Sequence, residues 1–480
     1  MKVLFAGSEC YPFVKTGGLG DVMSALPKAL AAEGVDVRVI MPKYACIPEQ
    51  YKEKMQHVCN FEMDITQDYV MKYVGIESLE MDGVTYYFVD NEEYFSNGNP
   101  YTNMAEDLGK FIFFDKAVLA ALPVIGFTPD IIHCHDWQAG LIPVYLRTLF
   151  RDSEAGQHSK VIITIHNLKF QGQHELGLIK YLSALPDYVF TPDQLEINGD
   201  ANMLKGALVY SDKITTVSNT YAGEIKSAEY GEYLDSVIRF HHMKLSGIVN
   251  GIDYEIWNPA TDTKIAKQYS VNNVKGGKKA NKLALQKELG LEEDENKFVI
   301  GLISRLTDQK GLDLVNAIFE QLIDGNTQFV LIGTGDPGYE DMFRYYEGAH
   351  KGTVSSNIMY SDERAHKVYA AADVMLVPSR FEPCGLTQLI AFRYGALPIV
   401  RETGGLKDTV QPYNEYEETG NGFSFDQYRA DLLLNAINYA KTVYFTERKS
   451  WDAMVKRAMR TDHSWKASAD QYIDLYNSLV

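Results

Sequence analysis

Short apolar runs alternate with helical patterns along the first half of the chain. The apolar runs are residues 3–6, 35–41, 131–133 and 161–166, and a helical pattern occupies residues 21–32. Strands that are apolar throughout and separated by helices are typical of parallel sheets with helices on both faces. This part of the chain is therefore predicted to form a doubly wound α/β domain.

The same alternation begins again in the second half. Strands are expected at residues 298–304, 329–332, 374–377 and 397–400, with a helix from about Gly311. A chain of 480 residues is too long for one ordinary core. The sequence therefore predicts a second doubly wound domain.

The connection between the domains is expected between residues 247 and 282. It contains Gly and Pro at residues 247–259 and then a polar, lysine-rich stretch. The stretch includes Lys275, Lys278, Lys279 and Lys282. Such a run of charge is typical of a solvated loop, and no function is assigned to it.

Composition excludes several classes of protein. Hydrophobic residues make up 46% of the chain and charged residues 23%, which is globular, and no apolar run approaches the roughly 18 residues of a membrane span. The net charge of -18 would repel nucleic acid and anionic membranes, so neither is an expected partner. The 5 cysteines form no C-x-x-C pair, which argues against a disulfide framework and favours a reducing cytoplasm.

The loop at residues 379–387 carries the clearest functional signal. It follows the predicted strand at 374–377 and places Glu382 before Pro383, Cys384 and a glycine. The carboxylate can accept hydrogen bonds from sugar hydroxyl groups, and the amides that follow it can hold an anion. Taken alone, the loop fits an ordinary Pro-containing turn equally well.

A glycine-rich loop at residues 15–21 lies between the first predicted strand and helix. Gly17 and Gly18 allow the backbone to approach a ligand, and Lys15 adds a positive charge near the helix start. The loop matches neither the Walker A motif nor the dinucleotide fingerprint. Asp21 either contacts a ligand or caps the helix, and both interpretations remain open.

Two cations follow the first predicted strand of the second half. Arg305 and Lys310 lie at a strand-to-helix turn, where they can converge on a diphosphate, although they could also form ordinary surface ion pairs. No D-x-D pair is present, and His133 and His135 do not make a zinc site without further ligands. We therefore expect neither a metal nor another cofactor. If the bound diphosphate is the leaving group of a transfer reaction, the cations of the protein must stabilise its charge.

Several motifs occur together and in order along nearly the whole chain. They are K-T-G-G-L-G-D at 15–21, H-D-W-Q-A-G at 135–140, I-H-N-L-K-F-Q-G at 165–172, N-G-I-D-x-x-x-W-N-P at 250–259, S-R-L-T-D-Q-K-G at 304–311 and S-R-F-E-P-C-G-L-T-Q at 379–388. With these motifs, the sequence resembles the bacterial glycogen synthase and plant starch synthase family.

The resemblance implies the GT-B architecture, in which two Rossmann-like domains face each other across a cleft. The acceptor-side domain would comprise residues 1–248 and a returning C-terminal helix at 460–480, and the donor domain residues 249–459. The implied reaction transfers glucose from ADP-glucose to the non-reducing end of glycogen or a malto-oligosaccharide through an α-1,4 bond, with retention. Sucrose- or trehalose-synthase-like transfer and UDP-glucose use are the alternatives, and no oligomeric state is assigned.

The resemblance also implies roles for individual residues. Catalysis would involve Lys15, His166, Arg305, Lys310 and Glu382. Donor binding would add Gly17, Gly18, Asn250, Tyr360 against the adenine, Cys384, Gly385, Leu386 and Thr387. The acceptor side would comprise Glu9, Asp21, Asp136, Trp137, His166 and Asn167. We favour Glu382 as a group that orients the sugar in a front-face substitution, with covalent catalysis by Glu382 as the competing mechanism.

Overall fold

The computed structural model describes residues 1–480 and divides the chain into two compact units. The first unit contains Met1–Asn250 and Trp465–Val480, and the second contains Gly251–Ser464. The sequence-based boundaries were 248/249 and 459/460, so the chain passes between the units slightly later at both points.

The first unit is built on a nine-stranded sheet in the order β12-β11-β7-β6-β1-β2-β5-β4-β3, with a small sheet β8-β10-β9 beside it. The strands are β1 (Lys2–Ala6), β2 (Asp36–Pro42), β3 (Gln56–Ile65), β4 (Val70–Met81), β5 (Val84–Asp90), β6 (Ile131–His135), β7 (Lys160–Ile165), β8 (Gln173–Glu175), β9 (Glu196–Ile197), β10 (Asp200–Asn202), β11 (Lys213–Thr216) and β12 (Leu245–Gly247). All pairs from β12 to β5 are parallel, and β5-β4-β3 is an antiparallel extension.

Helices connect these strands. They are α1 (Gly18–Ala32), α2 (Glu49–Lys52), α3 (Glu92–Phe95), α4 (Met104–Ala121), α5 (Ile142–Arg147), α6 (Glu154–His158), α7 (Leu176–Ser183), α8 (Met203–Tyr210), α9 (Asn219–Glu224) and α10 (Asp235–Phe240). Short 3-10 turns occupy Trp137–Ala139, Asp187–Val189 and His242–Lys244. Strand β6 is buried at every position, as expected for a central strand covered on both faces.

The second unit has a six-stranded, wholly parallel sheet in the order β15-β14-β13-β16-β17-β18. The strands are β13 (Phe298–Ile303), β14 (Thr327–Ile332), β15 (Val354–Asn357), β16 (Val374–Val377), β17 (Leu397–Arg401) and β18 (Phe423–Phe425). Counted within the unit, the order is 3-2-1-4-5-6, the doubly wound order of nucleotide-binding folds. The strand order reverses between β13 and β16, and ligands of such sheets bind at that point.

Helices connect the strands of the second unit. They are α11 (Val274–Leu289), α12 (Leu312–Leu322), α13 (Pro337–Ala349), α14 (Asp362–Ala371), α15 (Thr387–Tyr394), α16 (Gly404–Thr409), α17 (Ala430–Thr446) and α18 (Arg448–Arg460). A 3-10 turn at Asp308–Lys310 precedes α12, which therefore begins one residue after the predicted Gly311.

The lysine-rich stretch is helical, so the predicted solvated loop is wrong. Residues 274–282 form the first half of α11, which packs against α14. Lys278 donates to the carbonyls of Tyr369, Ala370 and Tyr394, near the C-terminal ends of α14 and α15. Lys282 is buried and forms an ion pair of 2.7 Å with Asp373. These lysines stabilise helix ends and a buried carboxylate, and the sequence alone did not reveal those remote partners.

The C-terminal helix α19 (Trp465–Asn477) belongs to the first unit. It packs along α1, with Tyr472 and Tyr476 buried in the core of that unit. Ser468 donates to the carbonyl of Val249 at 2.6 Å. No helix is both long enough and apolar enough to cross a membrane.

Candidate active site

The order reversal of the second sheet brings together the loops that follow β13 and β16. The first loop carries Arg305 and Lys310, and the second carries Glu382. The Lys310 ammonium lies 2.6 Å from Oε2 of Glu382, and both side chains are largely buried. Ser379 Oγ donates to the same oxygen at 2.8 Å. An ammonium and a carboxylate thus meet where a ligand of this fold is expected.

The Glu382 loop is supported from behind by the glycines that follow β17. A Cβ on Gly404 would lie 2.0 Å from the Glu382 carbonyl oxygen, and one on Gly405 would lie 2.2 Å from the Cys384 carbonyl oxygen. Gly404 also has a positive φ of 44°. The Gly405 amide donates to the carbonyls of Glu382 and Pro383. Only glycine fits these positions without moving the loop that holds the carboxylate.

Backbone amides follow Glu382 at the start of α15. Gly385 has a φ of 77°, and no side chain caps the helix N-terminus. Leu386, Thr387, Gly385, Lys310 and Glu382 line a small cavity of about 70 Å³. A larger cavity of about 640 Å³ in this unit, lined by parts of α11, α17 and α18, contains none of the predicted residues. We place the site at the smaller cavity because the charged groups and the helix N-terminus are there.

The remaining donor-side candidates differ in accessibility. Arg305 is exposed, and its guanidinium forms no ion pair or hydrogen bond with the protein. Tyr360 is 82% exposed, as a ring that stacks on a ligand would be in the free protein. Cys384 is buried against the glycine loop, so its contribution to binding would come from the backbone. Whether Arg305, Tyr360 and Cys384 contact a donor ligand stays a prediction.

The first sheet has its own order reversal, between β1 and β6. Residues from both adjoining loops face this edge: Glu9, Lys15 and Gly17 follow β1, and Asp136 follows β6. The parallel strand β7 adds His166 directly beyond its end. The sheet topology therefore explains why acceptor-side candidates from distant parts of the sequence lie along one edge.

The glycine loop is already part of helix α1. The helix begins at Gly18 and its N-cap is Gly17, so the predicted start at Asp21 is one turn too late. Asp21 is not the cap, and its carboxylate accepts a hydrogen bond of 2.7 Å from Lys15. No side chain caps this helix, and its first amides can bind an anion or a hydroxyl oxygen.

Glu9 supports this loop from within the core. Its side chain is 3% exposed and accepts hydrogen bonds from the Thr16 amide and hydroxyl and from Tyr101. Burial raises the pKa of the Glu9 carboxyl. With both oxygens used inside the protein, Glu9 is suited to hold the Lys15 loop in place.

Asp136 combines unusual backbone and electrostatic properties. Its φ is 56° with ψ at -174°, a region that a residue with a side chain rarely occupies. Oδ1 accepts the His166 amide at 2.7 Å and the Asn167 amide at 3.5 Å. Burial outweighs these bonds and raises the pKa of Asp136 to about 7. The backbone after β7 is thereby fixed to a carboxyl group that titrates near neutral pH.

His166 and Asn167 form the turn after β7. Nε2 of His166 lies 2.9 Å from Nδ1 of His135, and burial lowers the pKa of His166 to about 3. Asn167 Oδ1 accepts the amide of Lys169, so this side chain shapes the turn. The imidazole is therefore neutral and held from one side.

Trp137, which was predicted on the acceptor side, does not present its ring to a ligand in the structure. Trp137 is 4% exposed and packs edge-on against Phe111 with ring centroids 5.3 Å apart. A Cβ on Gly172 would lie 2.3 Å from the indole, so the backbone covers the ring. The indole is a core residue, because no face of it is free to stack on a sugar.

Asn250 is the last residue of the first unit rather than part of the second. Its Oδ1 is buried without a hydrogen-bond partner. An orphaned buried acceptor costs free energy unless a ligand or water satisfies it, and the donor contact of Asn250 stays a prediction.

Sequence reasoning missed several supporting residues. Ser379 donates to Glu382, Gln388 donates to the carbonyls of Cys384 and Gly385, and Tyr101 donates to Glu9. Ser379 and Gln388 stand inside the quoted motif, so the motif itself was the available signal. Tyr101 gave no signal, because its contact with Glu9 bridges 92 positions. No group of three or more His, Cys, Asp or Glu side chains is arranged to hold a metal ion.

Both halves of the chain match known families. Residues 2–240 match the family model "Starch synthase catalytic domain", and residues 286–458 match "Glycosyl transferases group 1". Together with the two Rossmann-like sheets, these matches define a glycosyltransferase of the GT-B class.

The similarity to known proteins covers the full length of the chain. A glycogen synthase of Lachnospira eligens is 55% identical over 478 residues, and one of Lachnoclostridium phytofermentans is 50% identical over 478 residues, each covering 100% of both chains. The catalytic domain of starch synthase IV from Arabidopsis thaliana, solved with ADP and acarbose, superposes with a TM-score of 0.91 at 34% identity and covers 100% of this chain and 99% of that one. The chain belongs to the glycogen synthase family.

Proposed function

We propose that this glycosyltransferase extends an α-1,4-glucan by transferring glucose from ADP-glucose with retention of configuration, releasing ADP. The observation that carries this proposal is the Lys310–Glu382 pair at the order reversal of the second sheet, beside the uncapped start of α15. The ADP and acarbose of the plant starch synthase structure support a nucleotide-sugar donor and a glucan acceptor.

The donor diphosphate would be held by Lys310, Arg305 and the amides of residues 385–387. Lys310 is pre-positioned by Glu382, whereas Arg305 is exposed and unpaired in the free protein. Two cations and a helix N-terminus supply the positive charge that a leaving diphosphate needs in the absence of a metal. The protein thus stabilises the charge that develops on the leaving group.

Glu382 would orient the transferring glucose through its hydroxyl groups. Its Oε2 already accepts hydrogen bonds from an ammonium and a hydroxyl group, which lowers the nucleophilicity of that oxygen. The arrangement favours a front-face substitution, in which the departing phosphate oxygen takes the proton of the attacking acceptor hydroxyl as the new glycosidic bond forms. Covalent catalysis by Glu382 is the less favoured mechanism, and a glucosyl-Glu382 adduct would establish it.

The first unit would provide the acceptor side of the reaction. Asp136 positions the backbone of His166 and Asn167, and the carbonyl of His166 would face the positive charge that develops on the reacting carbon. Lys15, with Gly17 and Gly18 at the start of α1, would bind phosphate or acceptor oxygens.

The alternatives have less support. A sucrose-phosphate synthase of Thermosynechococcus elongatus shares the fold, but with a TM-score of 0.62 and 17% identity it supports no common substrate. The residues at the site do not favour UDP-glucose over ADP-glucose, because an exposed tyrosine can stack on either base. A cytoplasmic location is also part of the proposal, and all five cysteines are free thiols.

The proposal is tested by measuring nucleotide release from ADP-glucose and UDP-glucose, each with and without glycogen. We expect ADP release that depends on glycogen and exceeds UDP release. Equal release without an acceptor would indicate hydrolysis, and preferential UDP release would assign the other donor.

A further inference from the structure

Three imidazole rings form a stack in the core of the first unit. His133 and His135 share one face of strand β6 because they are two residues apart, and His166 follows the adjacent strand β7. The ring centroids of His133 and His135 are 4.3 Å apart, and those of His135 and His166 are 5.2 Å apart. His133 and His135 are fully buried, whereas His166 is only partly buried.

The ring nitrogens of this stack differ in their partners. His133 uses both nitrogens, in hydrogen bonds of 2.7 Å with the Tyr476 hydroxyl and 2.6 Å with the Thr164 hydroxyl. His135 uses only Nδ1, which lies 2.9 Å from Nε2 of His166. The other nitrogen of His135, Nε2, is buried without a partner.

Two proton arrangements are possible between His135 and His166. Burial lowers the pKa of both rings far enough to keep them neutral, so each ring carries one proton. If His166 donated from Nε2, the proton of His135 would be on its own Nε2, as a buried N–H without an acceptor. Orphaned buried N–H groups are rarer than unsatisfied acceptors and costly. Nε2 of His135 is therefore the unprotonated nitrogen, and the proton of His135 is on Nδ1.

We propose that His135 is a positioning residue that donates its Nδ1–H to Nε2 of His166 and thereby keeps the proton of His166 on Nδ1. His166 then presents an N–H donor from its partly exposed side. Resting on the function proposed above, that donor would bind a hydroxyl oxygen of the transferring sugar. The opposite tautomer would present a bare nitrogen to the same hydroxyl group.

Stacking restricts the rings as well as their protons. Phe5 lies against His135 at a centroid distance of 5.2 Å with nearly parallel rings. His133 lies on the same ring and is itself fixed to α19 through Tyr476. The imidazole of His135 therefore has little freedom to rotate and exchange its two nitrogens, so one tautomer is enforced on His166.

The tautomer is measured directly by long-range 1H–15N correlation on protein with 15N-labelled histidine rings. Comparison with the His166→Gln variant identifies the signals of His166. We expect a protonated Nδ1 and an unprotonated Nε2 on His166 in the wild-type protein without substrate. A protonated Nε2 on His166 would overturn the proposal. This readout requires no catalysis, so it stands even if the proposed function fails.

A matched pair of variants tests the consequence for the reaction. Asn at position 135 keeps an amide N–H close to the position of Nδ1, whereas Leu removes the donor. For glucan extension from ADP-glucose, we expect His135→Leu to lower kcat by roughly tenfold or more at nearly unchanged KM. We expect His135→Asn to restore kcat to within about threefold of wild type.

Equal losses of kcat in the Leu and Asn variants would indicate a packing role and would contradict the positioning role. If the Leu variant does not fold, the wild-type spectrum and the Asn variant decide the matter. A wild-type protein without any ADP-glucose-dependent activity would instead refute the proposed function while leaving the tautomer measurement valid.

Discussion

Removing the Lys310 ammonium should change stability and activity in ways that can be separated. Breaking a fully buried ion pair by deleting one partner costs about 3–5 kcal/mol. Here the side chains of Lys310 and Glu382 are 17% and 10% exposed, and Ser379 still donates to the carboxylate. We therefore expect Lys310→Met to lower the free energy of unfolding by about 2 kcal/mol.

The partner substitution should restore stability without restoring activity. In the double variant Lys310→Met with Glu382→Gln, no unpaired charge remains, and the amide can still accept from Ser379. Its free energy of unfolding should lie within about 1 kcal/mol of wild type. Its kcat should still be lower by about 100-fold or more, because the cation on the leaving group is missing.

Urea unfolding and the rate of ADP release check both halves of this prediction on the same preparations. Unchanged stability in Lys310→Met would show that the ion pair is not a buried, energetically coupled contact. Near-normal turnover in either variant would refute the role of Lys310 in stabilising the diphosphate. Recovery of both stability and turnover in the double variant would make the pair purely structural.

Three further outcomes are expected. Arg305→Gln should lower kcat by about 100-fold while changing stability by less than about 0.5 kcal/mol, and the exposed Lys449→Gln serves as the control with normal kcat and stability. Asp136 has a raised pKa of about 7, so the wild-type protein loses stability as pH rises from about 4 to 7. Asp136→Asn should therefore be more stable than wild type above pH 7, by at most about 4 kcal/mol. Thermal unfolding scans should show that this difference vanishes near pH 4. Gly404→Ala should lower the free energy of unfolding by about 2 kcal/mol or more, and should lower kcat because its methyl group displaces the Glu382 carbonyl. Gly276→Ala, at a position with open space in helix α11, should instead raise the free energy of unfolding by up to about 1 kcal/mol in the same assays.

The sheets were predictable where strands are buried and regular. Strand β16 (Val374–Val377) has the predicted bounds, because its four apolar residues lie between the charged Asp373 and the strand-ending Pro378. The start of α1 was misplaced because Gly17, Gly18 and Gly20 are typical of loops, yet the first turn of a helix tolerates glycine. Local patterns thus gave the elements but not their ends.

Contacts between distant residues could not be predicted from the sequence. Lys282 is buried because Asp373, 91 residues away, offers it a carboxylate, and the same charge pattern on a surface would be solvated. Trp137 stands in a motif that suggested a sugar contact, but its indole is covered by Gly172 and Phe111. The partners that decide whether a polar or aromatic residue binds a ligand come from the tertiary fold.

The candidate site was predictable to the extent that it is carried by contiguous motifs. Arg305, Lys310 and Glu382 follow strand ends in the sequence, and the order reversal between β13 and β16 brings the two loops together. The hydrogen bond between His135 and His166 depends on ring orientation and was not foreseen. Proton positions within a core require knowledge of every acceptor nearby.

NMR can directly follow the retaining transfer of glucose from ADP-glucose to a glucan. ADP-glucose labelled with 13C at the anomeric carbon is incubated with a malto-oligosaccharide while the labelled signal and ADP are quantified together. We predict that each ADP released is matched by one labelled α-1,4-linked residue on the oligosaccharide. A β-linked product, or free labelled glucose in place of a lengthened glucan, would rule out retaining glucan extension by this protein.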